Sequence, residues 1–474
     1  MAESRKVYLL DQKLLSPETI AVTFGKTSRS PLSFKEIAAE LTDDKTHQFH
    51  EKWVVGYGHS SIAEHAVLHI AVENVSRLAV ECLESNRLAS YTEKSTRYQK
   101  WNTDSFHIPS ELDGHPLHTL YLETCQNLFS TYEQSLPIVQ EYIARILPRK
   151  EEETESAWER KVRTETIDVC RFLLPAASLA NVGVTINART LEHALCKMIS
   201  HPLAEVQNMG LEMKEICQVE APTLVKYVDA TPYLQETGPS LAREGVQVDN
   251  QSSNGLNWCK LVDFSQDGEL FVMAAALYRY GNAPFENYLE FVKSLSQAEH
   301  ENLANIILGK VGGHDIPIRE MEYANFTFDL TLDQGGYFEL KRHRMMTQSP
   351  QPLSVINGYA VPRSLADAGL LDSYNSAMEK AARAYETISN FNPNVASYLV
   401  PNGFNRRLLM SFNLRTAIHL IKLRSAPNAH FSMRRVAQRL AEEIRTVSPL
   451  LGNMLQNFPD ETWQSIENKY FLKV

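Results

Sequence analysis

Two stretches of the chain repeat one pattern: FLLPAASLANVGVTINAR at Phe172–Arg189 and YLVPNGFNRRLLMSFNLR at Tyr398–Arg415. In each, an asparagine follows a proline by twelve residues (187 − 175 and 413 − 401), and the chain continues as N-x-R-T-x-x-H. The repeated polar positions are Asn187, Arg189 and His193 in the first stretch and Asn413, Arg415 and His419 in the second. A long-period recurrence of this kind indicates a tandem duplication of one structural module.

The duplication predicts the domain organisation. We expect a first copy over residues 1–235, a linker over 236–257 and a second copy over 258–474, because Gly, Ser, Asn and Gln are concentrated around the linker. The second copy contains alternating apolar residues at Phe326–Leu332, typical of a strand, and an amphipathic helical pattern at Met433–Val447. The predicted fold class is therefore α+β, built from two copies of one module.

Composition narrows the classes of function. The chain has 474 residues and a net charge of −10, from 47 Lys and Arg against 57 Asp and Glu. This balance argues against general binding to nucleic acid or an anionic membrane. Because no stretch is apolar enough for a leader or a membrane span, we expect a soluble, cytoplasmic protein. The six cysteines lack CxxC spacing and end at Cys259, so chemistry in the last 215 residues (474 − 259) must work without a thiol.

Two clusters are candidates for binding an anion. Lys341–Arg344 places four potential cations in a row between apolar flanks, and it is followed by Thr347–Pro362, which we expect to be irregular. The alternative is a solvated basic helix end. In the second cluster, Ser90 and Ser95 precede Arg97, an arrangement suited to wrapping a phosphate but also typical of an ordinary polar loop.

Paired histidines suggest one further kind of site. His65 and His69 are four residues apart, a spacing that places two metal ligands on one helix face. Since no third ligand follows at a suitable spacing, capped or partly buried histidines are the better interpretation, and we predict no metal site.

The first copy resembles a known family. GHSSIAEH at residues 58–65 and VSRLAVECLESNRLASYTEKSTRY at 75–98 resemble the signature of flavin-dependent thymidylate synthases. That signature is H-x-S-x-x-E-H followed by R-H-R-x-x-S-x-x-x-x-S-x-R. The L-P and N-x-R elements of both copies, with the later Arg424 and His430, are also similar to this family, so the resemblance covers nearly the whole chain.

The two copies have lost different parts of the signature. The first copy has Ser85-Asn86-Arg87 at the R-H-R positions but keeps Ser95, Arg97 and the arginine before L-P, Arg171. The second copy keeps Arg342-His343-Arg344 and the late Arg424 but has Pro352, Ser354 and Ser397 at the other positions. Family members build each site between subunits. The resemblance therefore implies an intramolecular pseudo-dimer with one intact composite site, and the matched losses favour a working site over a decayed one.

The resemblance also implies a reaction and residue roles. The reaction is the reductive methylation of dUMP to dTMP, with FAD as cofactor and methylenetetrahydrofolate and NADPH as co-substrates. The residues expected to bind dUMP are Arg342, Ser95, Arg97, Arg171 and Arg424, of which Arg424 is also the expected catalytic residue. The residues expected to bind FAD are His343, Arg344, Asn413, Arg415, His419 and His430 in the second copy, with Ser61 and Glu93 in the first.

Other functions remain open at this level. One is a related flavin-dependent modification of another pyrimidine nucleotide at C5, and another is a catalytically dead protein that still binds a nucleotide or flavin. For the synthase and for the related C5-modifying enzyme, the expected partner is a small-molecule nucleotide. Neither nucleic acid nor a membrane is an expected partner. Because family relatives form homotetramers, a chain with two copies is expected to form a homodimer.

Overall fold

The computed structural model of the chain describes residues 6–10, 14–27, 30–56, 60–245, 257–458 and 460–474. Helices and sheets both contribute, as expected for an α+β protein. The helices are α1 (Pro17–Thr27), α2 (Phe34–Ala39), α3 (Asp43–Phe49), α4 (Arg77–Glu84), α5 (His118–Ile146), α6 (Glu155–Cys170), α7 (Ala188–Ile199), α8 (Ala204–Glu220), α9 (Pro232–Gly245), α10 (Gly268–Arg279), α11 (Phe285–Ser294), α12 (Gln297–Leu308), α13 (Gln334–Leu340), α14 (Arg363–Leu365), α15 (Leu371–Ser389), α16 (Pro393–Ala396), α17 (Leu414–Arg424), α18 (Phe431–Val447) and α19 (Trp463–Tyr470). None of these described helices is both long and apolar enough to cross a membrane.

The strands form three antiparallel sheets. They are β1 (Val67–Ser76), β2 (Ala89–Glu93), β3 (Leu179–Asn187), β4 (Cys259–Phe264), β5 (Asn325–Asp333), β6 (Thr347–Pro350), β7 (Val361–Pro362), β8 (Asn405–Asn413) and β9 (Phe471–Lys473). The strand orders are β1-β3-β2, β4-β5-β8-β6 and β7-β9. The three-stranded sheet therefore consists of strands from the first copy, and the four-stranded sheet consists of strands from the second.

The described residues group into two compact units. The first takes those within Met1–Lys94, Phe106–His118 and Ala177–Gln251, and the second those within Ser95–Ser105, Thr119–Ala176 and Ser252–Val474. The first unit holds the three-stranded sheet, with α4, α7 and α8 packed on it. The second unit holds the four-stranded sheet. The unit boundaries differ from the copy boundaries, because two segments of the first copy belong to the second unit.

Alternation along the central strands builds the core of the second unit. On β5, the side chains of Phe326, Phe328 and Leu330 are buried, and the ring of Phe328 stacks on that of Phe412 with 5.6 Å between centroids. Helix α18 contributes one apolar stripe to the same core, including Met433. The strand and the helix predicted at Phe326–Leu332 and Met433–Val447 are both present, within β5 and α18.

The repeated motif has the same local structure in both copies. The side-chain Oδ1 of Asn187 accepts a hydrogen bond from the Thr190 N–H at 2.9 Å, which caps α7. Asn413 Oδ1 accepts from the Thr416 N–H at 2.9 Å and caps α17 in the same way. Asparagine is a preferred N-cap because its side chain satisfies a donor that has no partner inside the helix. The asparagine of the N-x-R motif therefore fixes where the helix begins.

Two segments that the sequence predicts to be irregular contain regular structure. Thr347–Pro362 is not wholly irregular, because Thr347–Pro350 forms β6 and pairs with β8. A proline is tolerated at the end of this strand because β6 lies at the sheet edge, where one side of the backbone needs no partner. The predicted linker 236–257 is helical up to Gly245, within α9, and its residues 246–256 lie outside the described residues.

Equivalent loops of the two copies pair with each other inside the second unit. The Ala176 N–H donates to the Val400 carbonyl at 3.0 Å, and the Asn402 N–H donates to the Leu174 carbonyl at 2.9 Å. In the repeat, Ala176 corresponds to Asn402 and Leu174 to Val400. The two hydrogen bonds are therefore reciprocal, as in contacts across a two-fold axis.

Candidate active site

A cleft of about 720 Å³ in the second unit gathers seven of the predicted site residues. They are Arg342, His343, Arg344, Asn413, Arg415, His419 and Arg424. Apolar side chains, among them Leu308, Val311 and Ile418, also line the cleft. A mostly apolar wall with a few converging polar groups is typical of small-molecule sites.

The R-H-R segment directly follows α13. Asp333 caps this helix by accepting a hydrogen bond from the Gly336 N–H at 2.7 Å. Arg342 is exposed to the cleft, whereas His343 is buried and its Nε2 accepts a hydrogen bond from Arg424 Nε at 2.9 Å. Burial, with the positive charge of Arg424 second, lowers the pKa of His343 to about 3. The imidazole is therefore neutral near pH 7 and carries its proton on Nδ1.

One carboxylate joins arginines from the two copies. Glu339, on α13, accepts from Arg171 Nη2 at 3.2 Å through Oε1 and from Arg424 Nη1 at 3.1 Å through Oε2. Its backbone carbonyl accepts from Arg424 Nη2 at 3.1 Å. The exposed fractions of the side chains are 2% for Arg171 and 8% for Glu339. Arg171 and Arg424, which the sequence assigns to one site, are therefore held on the same buried carboxylate.

Arg171 continues into the loop that the signature assigns to phosphate. Its Nη1 donates to Thr96 Oγ1 at 3.3 Å, and Thr96 lies between the predicted site residues Ser95 and Arg97. Ser95 Oγ accepts from the Arg97 N–H at 3.2 Å, which holds the turn of this loop. The arginine before the L-P element thus contacts the S-x-R loop directly.

Arg97 is held by an acid on the neighbouring helix. Its Nε lies 2.9 Å from Asp168 Oδ1 and its Nη2 lies 2.7 Å from Oδ2, so the pair is bidentate. Its Nη1 also donates to the Asn428 carbonyl at 3.0 Å. Although burial opposes it, the hydrogen bonds and charge of Asp168 raise the pKa of Arg97, so this arginine is permanently charged. Arg97 lines a separate, smaller cavity of about 350 Å³.

Arg415 is fixed at the opposite end of α17 from Arg424. Its Nε donates to the Pro317 carbonyl at 2.9 Å and its Nη1 to Glu322 Oε1 at 2.6 Å. The hydrogen bond from Arg415 is the main reason that the pKa of Glu322 is lowered. Arg189 forms the corresponding ion pair with Glu64 in the first copy. Both copies therefore contain this ion pair. In the second copy, the pair of Arg415 and Glu322 lines the same cleft as Arg342.

Three predicted flavin residues are not among the residues that line this cleft. Ser61 and Glu93 belong to the first unit. Ser61 lines another cleft, of about 560 Å³, with Phe24 and Trp53. The side chain of Glu93 is 1% exposed and lies 3.2 Å from Arg77 Nη1 in an ion pair.

His430 is the third, and it is a buried capping residue. Its Nδ1 accepts from the Ser432 N–H at 3.2 Å, and its Nε2 lies 3.3 Å from the Asp168 carbonyl. The ring stacks on Phe172, with 5.9 Å between centroids. Burial lowers the pKa of His430 well below its usual value, so the ring is neutral. Both ring nitrogens of His430 are therefore engaged, and the buried side chain caps the start of α18.

The first copy shows a different partner at the position of the buried histidine. Counting from the helix-capping residues Ser76 and Asp333, Asn86 corresponds to His343. Lys197 Nζ donates to Asn86 Oδ1 at 3.0 Å and also contacts Ser85 Oγ. Burial lowers the pKa of Lys197. An amine and an amide thus occupy in the first copy the place that a guanidinium and an imidazole occupy in the second.

The two carboxylates of the site, Asp168 and Glu339, are not among the predicted residues. A weak local signal exists for each, since Asp168 precedes Arg171 by three residues and Glu339 precedes Arg342 by three. That spacing places an acid and a base on one side of a helix. The actual partners, however, lie in other elements, and the sequence contains no signal for those.

Comparisons with known proteins agree with the duplicated architecture. The family described as "Thymidylate synthase complementing protein" matches the chain twice, over residues 9–223 and 260–450. A UPF0159 protein of Chlamydia muridarum is 32% identical over 441 residues, which cover 88% of this chain and 82% of the relative. A UPF0159 protein of Thermoplasma acidophilum is 27% identical over 459 residues, covering 88% and 90%.

Shorter relatives match one copy at a time. A protein of Clostridium tetani named flavin-dependent thymidylate synthase is 30% identical over 218 residues, which cover 82% of that protein but 45% of this chain. One such relative therefore corresponds to about half of the chain. The resemblance seen in the sequence is confirmed: this chain belongs to the thymidylate synthase complementing protein family and carries two family modules in tandem.

Proposed function

We propose that the chain is a flavin-dependent thymidylate synthase with one composite active site, which methylates dUMP to dTMP using methylenetetrahydrofolate and NADPH. One observation carries the proposal. Arg171 of the first copy and Arg424 of the second bind the same buried carboxylate, Glu339. Side chains that the two copies retained separately thus meet at one place, in a chain whose family includes members named for this activity.

The lining of the cleft fits a flavin dinucleotide. Arg344, Arg415 and Lys422 provide positive charge for a pyrophosphate, whereas Arg342 is proposed to bind dUMP. His343 is neutral, so it can donate from Nδ1 without adding charge. Leu308, Val311 and Ile418 provide apolar surface for a ring system. When bound, the flavin supplies the reducing equivalents of the reaction.

Arg424 is the proposed catalytic residue. Its guanidinium is held by Glu339 and by His343 Nε2. This leaves N–H groups of Nη1 and Nη2 for the uracil ring, where they stabilise negative charge at N3 and O4 and make C5 nucleophilic. Burial lowers the pKa of Arg424, which nevertheless stays cationic. No cysteine is required for this activation, in keeping with the absence of cysteines after Cys259.

Arg97, Arg171 and Ser95 form the proposed phosphate side of the site. Arg171 contacts Thr96 in the S-x-R loop, and Arg97 of that loop contacts Asp168 near the end of α6. These contacts hold the two guanidinium groups at the junction of the loop and the helix. The reciprocal hydrogen bonds between equivalent loops support the proposed pseudo-dimer, in which this loop of the first copy faces the R-H-R segment of the second. We further propose a homodimer of chains in the cytoplasm.

The test is a visible absorption spectrum of the purified protein before and after adding dUMP. The proposal predicts a flavin band that shifts with dUMP, followed by dTMP formation in the presence of methylenetetrahydrofolate and NADPH. Arg97→Gln and Arg424→Gln should each abolish the shift, because each copy supplies one of these residues. A colourless protein that takes up no added FAD would contradict the enzyme proposal, and loss in only one variant would contradict the composite site.

A second candidate is a related C5 modification with another one-carbon donor. It is favoured by Pro317, which lines the cleft where the family signature has a histidine and whose carbonyl binds Arg415. The imidazole of the signature is thereby replaced by a proline ring, which cannot transfer a proton. Flavin reduction by NADPH and a dUMP-dependent spectral shift, without dTMP formation, would favour this candidate.

A further inference from the structure

The first unit has a cleft of its own, of about 560 Å³, which shares no residue with the cleft proposed for the flavin. Aromatic rings form much of its wall. The rings of Phe24 and His65 lie 5.0 Å apart between centroids, and those of Phe49 and Trp53 lie 6.3 Å apart. A cleft of this size with aromatic walls suits a flat aromatic ligand, which gains both apolar burial and ring contacts.

Four polar side chains also line this cleft: Lys26, Glu40, Ser61 and His65. None of them forms a side-chain hydrogen bond or an ion pair with any residue in the part of the chain that the structure describes. Lys26 and Glu40 have opposite charges and offset each other. Together the four groups can donate and accept hydrogen bonds, so the lining fits a ligand that carries both donors and acceptors but no net charge.

The second copy provides an internal comparison, because α1 and α10 begin in the same way. Glu18 Oε1 accepts a hydrogen bond from the Thr223 N–H at 2.8 Å, and Glu269 Oε2 accepts one from the Leu450 N–H at 3.1 Å. Both glutamates are buried and stand second in their helices. In this region a residue of the first copy therefore corresponds to the residue 251 positions later (269 − 18).

A tyrosine occupies the corresponding place in the second copy. Ile37 corresponds to Tyr288, whose Oη accepts a hydrogen bond from the Asn282 N–H at 3.0 Å. Ser30 corresponds to Gly281, where an added Cβ would lie 1.7 Å from Tyr288 Oη. The copy with the intact R-H-R segment thus has a tyrosine and a glycine where Ile37 and Ser30 line the cleft of the first copy. The cleft is therefore a feature of the first copy and not a duplicate of the flavin cleft.

We propose that the cleft of the first unit binds an uncharged aromatic heterocycle of about the size of a nucleoside. The ring of the ligand packs against the aromatic wall, and Ser61 and His65 form hydrogen bonds with its polar edge. A phosphate adds little to binding here, because Glu40 offsets the charge of Lys26. This inference goes beyond the proposed function, since it concerns another cleft and uses none of the residues proposed for dUMP or for catalysis.

Closing the cleft as in the second copy tests the proposal. The double variant Ser30→Gly, Ile37→Tyr introduces the two residues found at the corresponding place, and Ile37→Leu is the matched control because it keeps the apolar volume. The probe is adenosine, and its binding to the purified full chain is measured by equilibrium dialysis. We expect the wild type and Ile37→Leu to bind alike and the double variant to bind at least about tenfold more weakly, the effect of losing ring contacts and the area they bury. Equal binding by all three proteins, or no binding by the wild type, would overturn the proposal.

A measurement on the wild type keeps the test valid if the double variant does not fold. Adenosine should slow the labelling of His65 by diethyl pyrocarbonate, followed by mass spectrometry, but not that of His69, which is exposed on β1 and bonded to Thr185. AMP should protect His65 at concentrations within about threefold of those of adenosine, because the phosphate finds no net charge in this cleft. Equal labelling of His65 with and without adenosine would overturn the proposal, and so would protection by AMP at concentrations more than about tenfold lower.

Discussion

Replacing His343 with asparagine should remove part of the acid sensitivity of the protein. His343 is 7% exposed and accepts a hydrogen bond from Arg424 Nε. Asparagine is the matched replacement, because Asn86 occupies the corresponding position in the first copy and accepts a hydrogen bond there from Lys197. His343→Asn therefore retains an acceptor but removes the titrating ring.

The magnitude follows from the difference in pKa between the folded and unfolded chain. The pKa of His343 is about 3 in the folded protein, against an ordinary value of 6.5. Between these values the unfolded chain binds a proton that the folded chain does not, so stability is fully present above the higher pKa and falls as the pH drops. From about pH 7.5 to about pH 5, this histidine alone lowers the free energy of unfolding by about 2 kcal/mol.

The assay is urea unfolding followed by tryptophan fluorescence, at both pH values and for both proteins. The wild type should lose about 2 kcal/mol more than His343→Asn over this interval. An equal loss in the two proteins would refute the reasoning, because it would mean that His343 is protonated in the folded state or is not held by Arg424.

Three further expectations concern other parts of the molecule. Arg415→Gln should lower flavin occupancy of the purified protein, whereas Arg189→Gln, at the corresponding position of the first copy, should not; equal losses of bound flavin absorbance would contradict the assignment of the flavin to the second copy. Phe172→Ala should lower the free energy of unfolding by about 3 to 5 kcal/mol in urea, because a buried ring packed on other rings is removed; a loss below about 1 kcal/mol would show that the cluster is not packed this way. Burial raises the pKa of the thiols of Cys125 and Cys170, so the folded protein should leave both unlabelled by iodoacetamide, and rapid labelling detected by mass spectrometry would contradict their burial.

The features that could be predicted from the sequence depend on local patterns. The N-x-R-T motif predicted equivalent structures in the two copies because Asn187 and Asn413 cap the helices that directly follow them. The strand at Phe326–Leu332 and the helix at Met433–Val447 followed from apolar periodicity. The cleft gathers Arg342, His343 and Arg344, which follow β5 and α13, with residues of α17, whose start is fixed by the Asn413 cap.

The features that could not be predicted depend on contacts distant in sequence. Glu339 meets Arg171 across 168 residues, and nothing near either position signals the other. His430 looks like a ligand in sequence, but the ring of Phe172, which lies far away in the chain, covers it. Thr347–Pro350 looks irregular because of its proline, yet pairing with β8 makes it a strand. In each case the tertiary partner, and not the local pattern, decides the outcome.

The central claim is that the two copies share one active site, and the stoichiometry of the flavin tests it most directly. The purified protein is saturated with FAD and dUMP, and bound flavin is then counted per chain from absorbance and amino-acid analysis. One flavin per chain is the predicted result, since the intact motif elements suffice for a single composite site. Two flavins per chain, or none, would contradict the account.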